Sequence, residues 1–117
     1  MPTVLVVDDD PDTHAIVREV LESEGFSTIS AWDGANAVAV LKKLPHVPVL
    51  IIFDLRMPVM NGWQLAYTLS NDERWIGVPR LALSGVPGEL NLGSTLLLRK
   101  PFQPEQLLSA VREALQN

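Results

Sequence analysis

Five residues able to bind a cation or a phosphoryl group stand at the ends of four apolar runs of strand length. They are Asp8, Asp9, Asp54, Ser84 and Lys100. Three carboxylates brought within a few ångströms repel one another, and protonation or a bound cation must relieve that repulsion. Oxygen ligands, in a chain with no Cys and no clustered His, favour a hard ion. The pattern therefore predicts a site for Mg²⁺ or Mn²⁺.

The charges of this predicted site suit phosphoryl transfer. Three carboxylates carry three negative charges, and a divalent ion together with Lys100 carries three positive charges, so the site can reach neutrality. An incoming phosphoryl group then meets no net repulsion, while the cation, Lys100 and the Ser84 hydroxyl stabilise its oxygens. Asp54 is the candidate nucleophile, because an Asp carboxylate can form a covalent aspartyl phosphate. Considered by itself, the stretch around Asp54 is equally consistent with a cap for the next helix.

Strands and helices alternate along the chain and must position these residues. Apolar, β-rich runs predict strands over 3–7, 26–30, 49–53, 80–83 and 95–99. Helices are predicted after an N-cap at Asp10, with a stop at Gly25, and then over 35–44, 62–70 and 104–115. Residues 86–93 show no clear period and are expected to hold at most one or two helical turns. This alternation predicts a parallel sheet with helices on both faces, so that the strand ends meet at one edge.

Composition limits the class of protein. The 117 residues suffice for one hydrophobic core but not for two, so residues 1–117 are interpreted as a single domain. A net charge of −5, with only nine scattered Lys and Arg residues, argues against direct nucleic-acid binding. No apolar run is long enough to span a membrane and no signal peptide is recognisable, so a cytoplasmic location is expected.

The chain resembles the receiver domain of two-component response regulators over essentially its whole length. The matching motifs are Val6-Val7-Asp8-Asp9, Asp54 followed by Met57-Pro58 and Asn61-Gly62, Leu83-Ser84-Gly85, and Lys100-Pro101-Phe102. Each motif is weak evidence alone, but the four in this order at strand ends are highly specific. The resemblance implies an α/β, flavodoxin-like (βα)5 fold, a three-layer sandwich around a parallel five-stranded sheet of order 2-1-3-4-5.

The resemblance also implies a role for each site residue. Asp54 would accept a phosphoryl group from a sensor histidine kinase or a histidine phosphotransfer protein. Asp9, Asp54 and the backbone carbonyl of Arg56 would ligate Mg²⁺, with Mn²⁺ as an alternative, and Asp8 would act largely through water. Such a domain catalyses only its own phosphorylation and dephosphorylation and is not a metabolic enzyme.

By the same resemblance, Ser84 and Lys100 would bind the phosphoryl oxygens and mediate the switch to the active state. The Lys100–Pro101 peptide bond is expected to be cis, since X-Pro bonds adopt that form far more readily than other peptide bonds.

Two departures from the family pattern concern signalling output. The position three before Lys100, usually aromatic, is Leu97, which puts switching by aromatic rotation in doubt. Only fifteen residues separate Ser84 from Lys100, so the fourth helix is expected to be short or irregular. In the family that helix, strand five and helix five commonly form a homodimer or effector-domain surface.

Two other functions stay open at this point. A phosphohydrolase of the haloacid-dehalogenase type would need Asp-x-Asp-x-Thr after strand one, but Asp8-x-Asp10 leads to Asp12. A receiver that no longer accepts phosphate would act only as an interaction module. His14 and His46 are isolated in the sequence, and no ligand or catalytic role is expected for either.

Overall fold

Five parallel strands form one sheet in the computed structural model, which describes residues 2–85 and 95–116. The strands are β1 (Thr3–Val7), β2 (Ser27–Ala31), β3 (Leu50–Asp54), β4 (Arg80–Ser84) and β5 (Leu96–Arg99). Their order is β2-β1-β3-β4-β5, and every neighbouring pair is parallel. The predicted strand order and flavodoxin-like fold are confirmed.

Four helices lie within the described parts of the chain. They are α1 (Pro11–Ser23), α2 (Gly34–Lys43), α3 (Gly62–Ser70) and α4 (Pro104–Gln116). The short or irregular helix expected over 86–93 lies outside the described residues, so α4 is the helix that the family pattern counts as its fifth. Across residues 2–85 and 95–116, every helix falls short of the length and apolar character that a membrane crossing needs.

The sheet separates two hydrophobic layers, because successive side chains of a strand point to opposite faces. On β3, Ile51 and Phe53 pack with α2 and α3, whereas Leu50 and Ile52 pack with α1 and α4. All four of these apolar side chains are buried, as expected for a central parallel strand covered on both faces. The domain is therefore a three-layer sandwich with β3 at its centre.

Local signals set the helix ends. The Asp10 carboxylate accepts a hydrogen bond from the Asp12 N–H (2.9 Å), which confirms Asp10 as the N-cap of α1. This cap occupies the residue that a phosphohydrolase motif would need as its second acid. After α1 the chain turns at Gly25, whose φ of +88° suits glycine. Asn61 and Gln64 form a reciprocal capping box at the start of α3.

Several predicted boundaries are wrong by one residue. The strand β2 begins at Ser27 and not at residue 26, and β3 includes Asp54 because Asp54 pairs with Leu83 across the sheet. The helix α2 begins at Gly34 and not at residue 35, since the Asp33 side chain caps it. Tertiary pairing and capping, which act beyond the local apolar pattern, fix these ends.

Gly62, like Gly34, is a glycine of the described residues where an added methyl group would come too close to neighbouring atoms. A Cβ there would lie 2.5 Å from the Asp54 carbonyl oxygen and 2.7 Å from the Leu55 Cα. We expect Gly62→Ala to lower the free energy of unfolding by about 1–3 kcal/mol, the usual cost of overpacking. Urea denaturation would measure it.

The matched control for this prediction is Gly77→Ala, because a Cβ at Gly77 meets no atom within 4 Å. Its stability should stay within about 0.5 kcal/mol of wild type. Equal stabilities for the two variants would contradict the close packing of α3 against the end of β3.

Candidate functional site

Strand register brings Asp8 and Asp54 side by side at the carboxyl edge of the sheet. Val7 pairs with Phe53 in the parallel ladder, so the residues that follow them, Asp8 and Asp54, stand at the same level. Asp8 is fully buried and Asp54 nearly so. Buried carboxylates are costly without partners, so the groups around them decide what this edge can do.

Lys100 is the cation that bridges the two buried acids. Its Nζ donates to Asp8 Oδ2 at 2.7 Å and to Asp54 Oδ2 at 3.3 Å. The Lys100 backbone N–H donates to the Ser84 carbonyl at 2.8 Å, which ties the loop after β5 to the end of β4. The Lys100–Pro101 bond is cis, as predicted. Lys100 thereby joins two acids that lie 92 and 46 positions before it in the sequence, Asp8 and Asp54, in one hydrogen-bond network.

Asp9 completes a cluster of three acids. One carboxylate oxygen from each of Asp8, Asp9 and Asp54 lies within 4.8 Å of the other two. Asp9 is exposed, whereas its two partners are buried, so the cluster opens to solvent on the Asp9 side. Three carboxylate oxygens at this spacing are a donor set suited to a hard divalent cation.

Burial and like charge alter the titration of the site. Burial raises the pKa of Asp54 above its ordinary range, and the negative charge of Asp8 raises it further, while Lys100 opposes both effects. Burial alone would lower the pKa of Lys100, but its hydrogen bond to Asp8 and the charges of both acids raise it. Lys100 is therefore fully protonated at neutral pH.

Ser84 and Arg56 occupy the positions that the sequence predicts. Ser84 is buried at the last position of β4, next to Lys100. The Arg56 backbone N–H donates weakly to Asp54 Oδ1 (3.4 Å), and its side chain is exposed. The structure therefore brings these two residues, Lys100 and the three acids to one edge. A ligand role for the Arg56 carbonyl stays a prediction.

Leu97 takes the place of the aromatic residue usual in the family. Its half-buried side chain packs against the hydrophobic layer formed with α2 and α3. An inward-packed Leu has no ring to rotate, so a signal through this position would have to use another motion.

His14 contacts the site through the backbone of Asp8, although the sequence analysis expects no ligand or catalytic role for it. Its Nε2 donates to the Asp8 backbone carbonyl at 2.7 Å, because a carbonyl oxygen can only accept. The ring is buried and lies 4.3 Å, centroid to centroid, from the half-exposed ring of Trp32. One signal could have found it, because His14 shares the inward helical spacing of Val17 and Leu21. By contrast Ile16, although apolar and next to Val17 in the sequence, is exposed.

Comparisons with known proteins point to one family. A family model described as "Response regulator receiver domain" matches residues 4–112. The DNA-binding response regulator MtrA of Mycolicibacterium smegmatis is 34% identical, over 96% of this chain and 50% of that protein. The chain thus spans about half the length of the first curated relatives it matches. The solved structure of the chemotaxis response regulator CheY4 of Vibrio cholerae is 31% identical, with a TM-score of 0.87 over 98% of this chain and 99% of that one.

The raised pKa of Asp54 predicts a stabilising substitution. A carboxyl whose pKa is higher in the folded protein than its ordinary 3.8 takes up a proton on folding. Its contribution to stability is present below that ordinary value and is lost as the pH rises through the folded pKa. We therefore expect Asp54→Asn to raise the melting temperature by a few degrees at pH 7 in EDTA, with the difference shrinking toward pH 3.

Asp72→Asn is the control, because the pKa of Asp72 is shifted in the opposite direction. Hydrogen bonds from Arg74 lower it to about 2. That variant should be no more stable than wild type at pH 7. A melting temperature for Asp54→Asn at or below that of wild type would show that Lys100 outweighs the burial of Asp54. Thermal unfolding by circular dichroism from pH 3 to pH 8 would distinguish these results.

Proposed function

The chain belongs to the receiver-domain family of two-component response regulators, and we propose that Asp54 is its phosphoacceptor. The observation that carries the proposal is the network in which Lys100 bridges Asp54 and the buried Asp8, with Asp9 beside them. Asp54 stands at the end of the central strand, where its carboxylate meets both a cation and an opening to solvent. The domain is a signalling domain that acts on itself and on no free metabolite.

The proposed step is a displacement at phosphorus. A carboxylate oxygen of Asp54 forms a bond to phosphorus as the bond from phosphorus to the donor breaks. The electron pair of that bond stays with the leaving group, which is an imidazole nitrogen of a phosphohistidine or the acetate of acetyl phosphate. Asp54 must be ionised to attack, and Lys100 favours its charged form against the opposing effects of burial and of Asp8.

Mg²⁺ fits the residues present. Asp8, Asp9 and Asp54 supply three oxygens within 4.8 Å of one another, and we assign the Arg56 carbonyl as a further ligand. Bound there, the ion would neutralise charge on the transferring phosphoryl group. Mn²⁺ has similar ligand preferences and is the alternative occupant.

The residues Ser84 and Lys100 are assigned to the phosphoryl oxygens and to the switch. Phosphorylation would give Lys100 a new anionic partner, so its hydrogen bond to Asp8 would compete with one to the phosphoryl group. Since the Lys100 backbone is bonded to the Ser84 carbonyl, a shift at Lys100 acts on the ends of both β4 and β5. This connection replaces aromatic rotation, for which Leu97 is unsuited.

The partners belong to the same proposal. The donor is a sensor histidine kinase or a histidine phosphotransfer protein, and the location is cytoplasmic. Residues 1–117 act as one receiver domain, and a homodimer or an effector domain would use β5 and α4 together with the predicted fourth helix, which lies outside the described residues. The relative MtrA is a DNA-binding response regulator about twice this length. This acidic domain is proposed to make no direct contact with nucleic acid.

Intact-mass measurement tests the acceptor. After incubation with acetyl phosphate and Mg²⁺, we expect one phosphoryl adduct, because the site offers one acceptor within reach of Lys100. EDTA should reduce the adduct at least tenfold, since the three acids would then repel the incoming phosphoryl group. Asp54→Asn should abolish the adduct.

The matched control is Asp33→Asn, which alters the half-buried cap of α2, outside the three-acid cluster, and should leave the adduct intact. No adduct on wild type, in a sample shown by calorimetry to bind Mg²⁺, would favour the interaction-only alternative. An adduct that survives Asp54→Asn would remove Asp54 as acceptor.

Lys100→Ala separates uptake from switching. The variant should retain some phosphoryl uptake, because Mg²⁺ still neutralises charge at the acids. It should lose the spectral change at β4 and β5, because the link through Lys100 is gone. Amide chemical shifts with and without acetyl phosphate would measure this, with Lys42→Ala on the exposed face of α2 as control. Normal shifts in Lys100→Ala would refute the assigned role.

A further inference from the structure

Arg80, the first residue of β4, is a half-buried cation with no acid in contact with it in the described part of the chain. Its Nη1 donates to the Ser70 hydroxyl at 2.8 Å and to the Ala66 carbonyl at 3.4 Å, both near the carboxyl-terminal end of α3. By contrast Arg74, six residues earlier, is paired with Asp72 at 2.7 Å. Arg80 therefore has neutral acceptors where Arg74 has a carboxylate.

The positive charge of Arg80 is only partly compensated by these contacts. The carboxyl-terminal end of a helix carries about half a negative elementary charge, whereas a guanidinium carries one whole positive charge. Burial lowers the pKa of Arg80, and no carboxylate among residues 2–85 and 95–116 offsets this effect. The side chain is still charged at neutral pH, because an arginine in a protein does not lose its proton there. A partly desolvated cation of this kind is stabilised by an anion.

The guanidinium of Arg80 also has donors that the fold does not use. A guanidinium carries five N–H groups in one plane, and the two hydrogen bonds within the described chain both come from Nη1. The Nε and Nη2 groups form one side of the planar fork. Two parallel N–H groups in this arrangement match the two oxygens of a carboxylate. Ser70, which holds Nη1, limits the directions in which this fork can point.

Arg80 lines a cavity at the edge of the sheet opposite the acidic cluster. The strand β4 runs from Arg80 to Ser84, so about 13 Å of extended backbone separates the cavity from the predicted phosphoryl site. The volume of the cavity is about 490 Å³, within the range of small-molecule sites. Its wall combines the Arg80 guanidinium with hydroxyl and apolar side chains. These other lining residues include Ser70, Ile76, Val78, Thr95 and Leu96.

From this arrangement we propose that the cavity, which we call the Arg80 cavity, binds a small molecule with a carboxylate on an apolar body. The carboxylate pairs with the Arg80 guanidinium, and the apolar body lies against Ile76 and Leu96. Apolar walls with one charged anchor are typical of sites for such ligands. The site is separate from the acceptor chemistry of Asp54, so either proposal can fail without the other. A ligand here would contact the starts of β4 and β5, whose opposite ends carry Ser84 and Lys100.

Four probes separate the contribution of the charge from that of the apolar body. Benzoate has both, acetate has only the carboxylate, benzamide has the ring without the charge, and inorganic phosphate is an anion without a body. Each is titrated into the ¹⁵N-labelled protein in EDTA at constant ionic strength, because added salt by itself screens surface charges. The readouts are the Arg80 Nε–H signal and the backbone amide signals of Gly77, Thr95 and Leu96, which line or adjoin the cavity.

We expect benzoate to give saturable shifts at these signals and to bind at least tenfold more tightly than acetate or phosphate. Benzamide should give no saturable shift, because it leaves the Arg80 charge unpaired. Arg80→Gln should weaken benzoate binding about tenfold, since it removes a charge-assisted hydrogen bond. Arg80→Lys should give an intermediate affinity, because it keeps the charge but lacks the planar fork.

Arg74→Gln is the matched control, because Arg74 is an exposed arginine of the same connection and already has an acid partner. Its affinity for benzoate should stay within twofold of wild type. If Arg80→Gln does not fold, Arg80→Lys becomes the test, and it must then weaken benzoate binding at least threefold.

Four outcomes would overturn the proposal. The first is that benzoate gives no saturable shift at Gly77, Thr95 or Leu96. The second is that benzamide binds as tightly as benzoate, so that the charge has no role. The third is that phosphate binds more tightly than benzoate, which would indicate a site for free inorganic anions. The fourth is that benzoate shifts only signals near Lys100, which would place the anion at the opposite edge of the sheet.

Discussion

The ion pair between Lys100 and the buried Asp8 is the constraint on which the site depends. Asp8 is 0% exposed, and a carboxylate held so far from water must be paired and hydrogen-bonded. Lys100 provides the charge, and the Asp10 N–H provides a second hydrogen bond, 2.9 Å from Asp8 Oδ1. Because Lys100 follows β5 and Asp8 follows β1, the pair forms only if all intervening strands take their places. The formation of this ion pair therefore depends on the order of the strands in the sheet.

Even with this ion pair, the carboxyl edge of the sheet carries more negative than positive charge. One lysine faces three carboxylates, so two negative charges stay uncompensated among the described groups. A divalent cation would supply the missing charge, and the exposed Asp9 would give it a route of entry. Burial, and after it the negative charge of Asp8, explain why the pKa of Asp54 is raised although a lysine contacts it. Stability and readiness to bind a cation therefore oppose each other at Asp54.

Sequence alone predicted the parts of the fold that periodicity and strand ends encode. Leu50 to Asp54 is an apolar run ending in an acid, and such a run has few placements other than a central parallel strand. The same logic located Asp8, Ser84 and Lys100 at one edge. The roles given to these residues are still proposals, because they concern chemistry and not position.

Other features depend on contacts that no local pattern contains. His14 is a positioning residue only because α1 packs so that its ring meets the Asp8 carbonyl. The positive φ of Val59 reverses what the valine side chain would suggest, since valine normally indicates extended backbone. Ile16 continues the apolar spacing of α1 but lies on the exposed side. In each case the tertiary environment, and not the residue's propensity, decides the outcome.

The hydrogen bond from the Gly34 N–H to the Met60 carbonyl connects the edge strand β2 to the loop beside the site. This strand contributes no acid and no cation to the site, yet the loop that follows it is fastened to the loop that follows β3. A Cβ at Gly34 would lie 2.6 Å from the Met60 side chain, so the two loops are in contact as well as bonded. If Asp54 is phosphorylated as proposed, an outward movement of the loop after β3 would therefore also move the start of α2. A change that begins at Asp54 would then extend to the far side of the sheet.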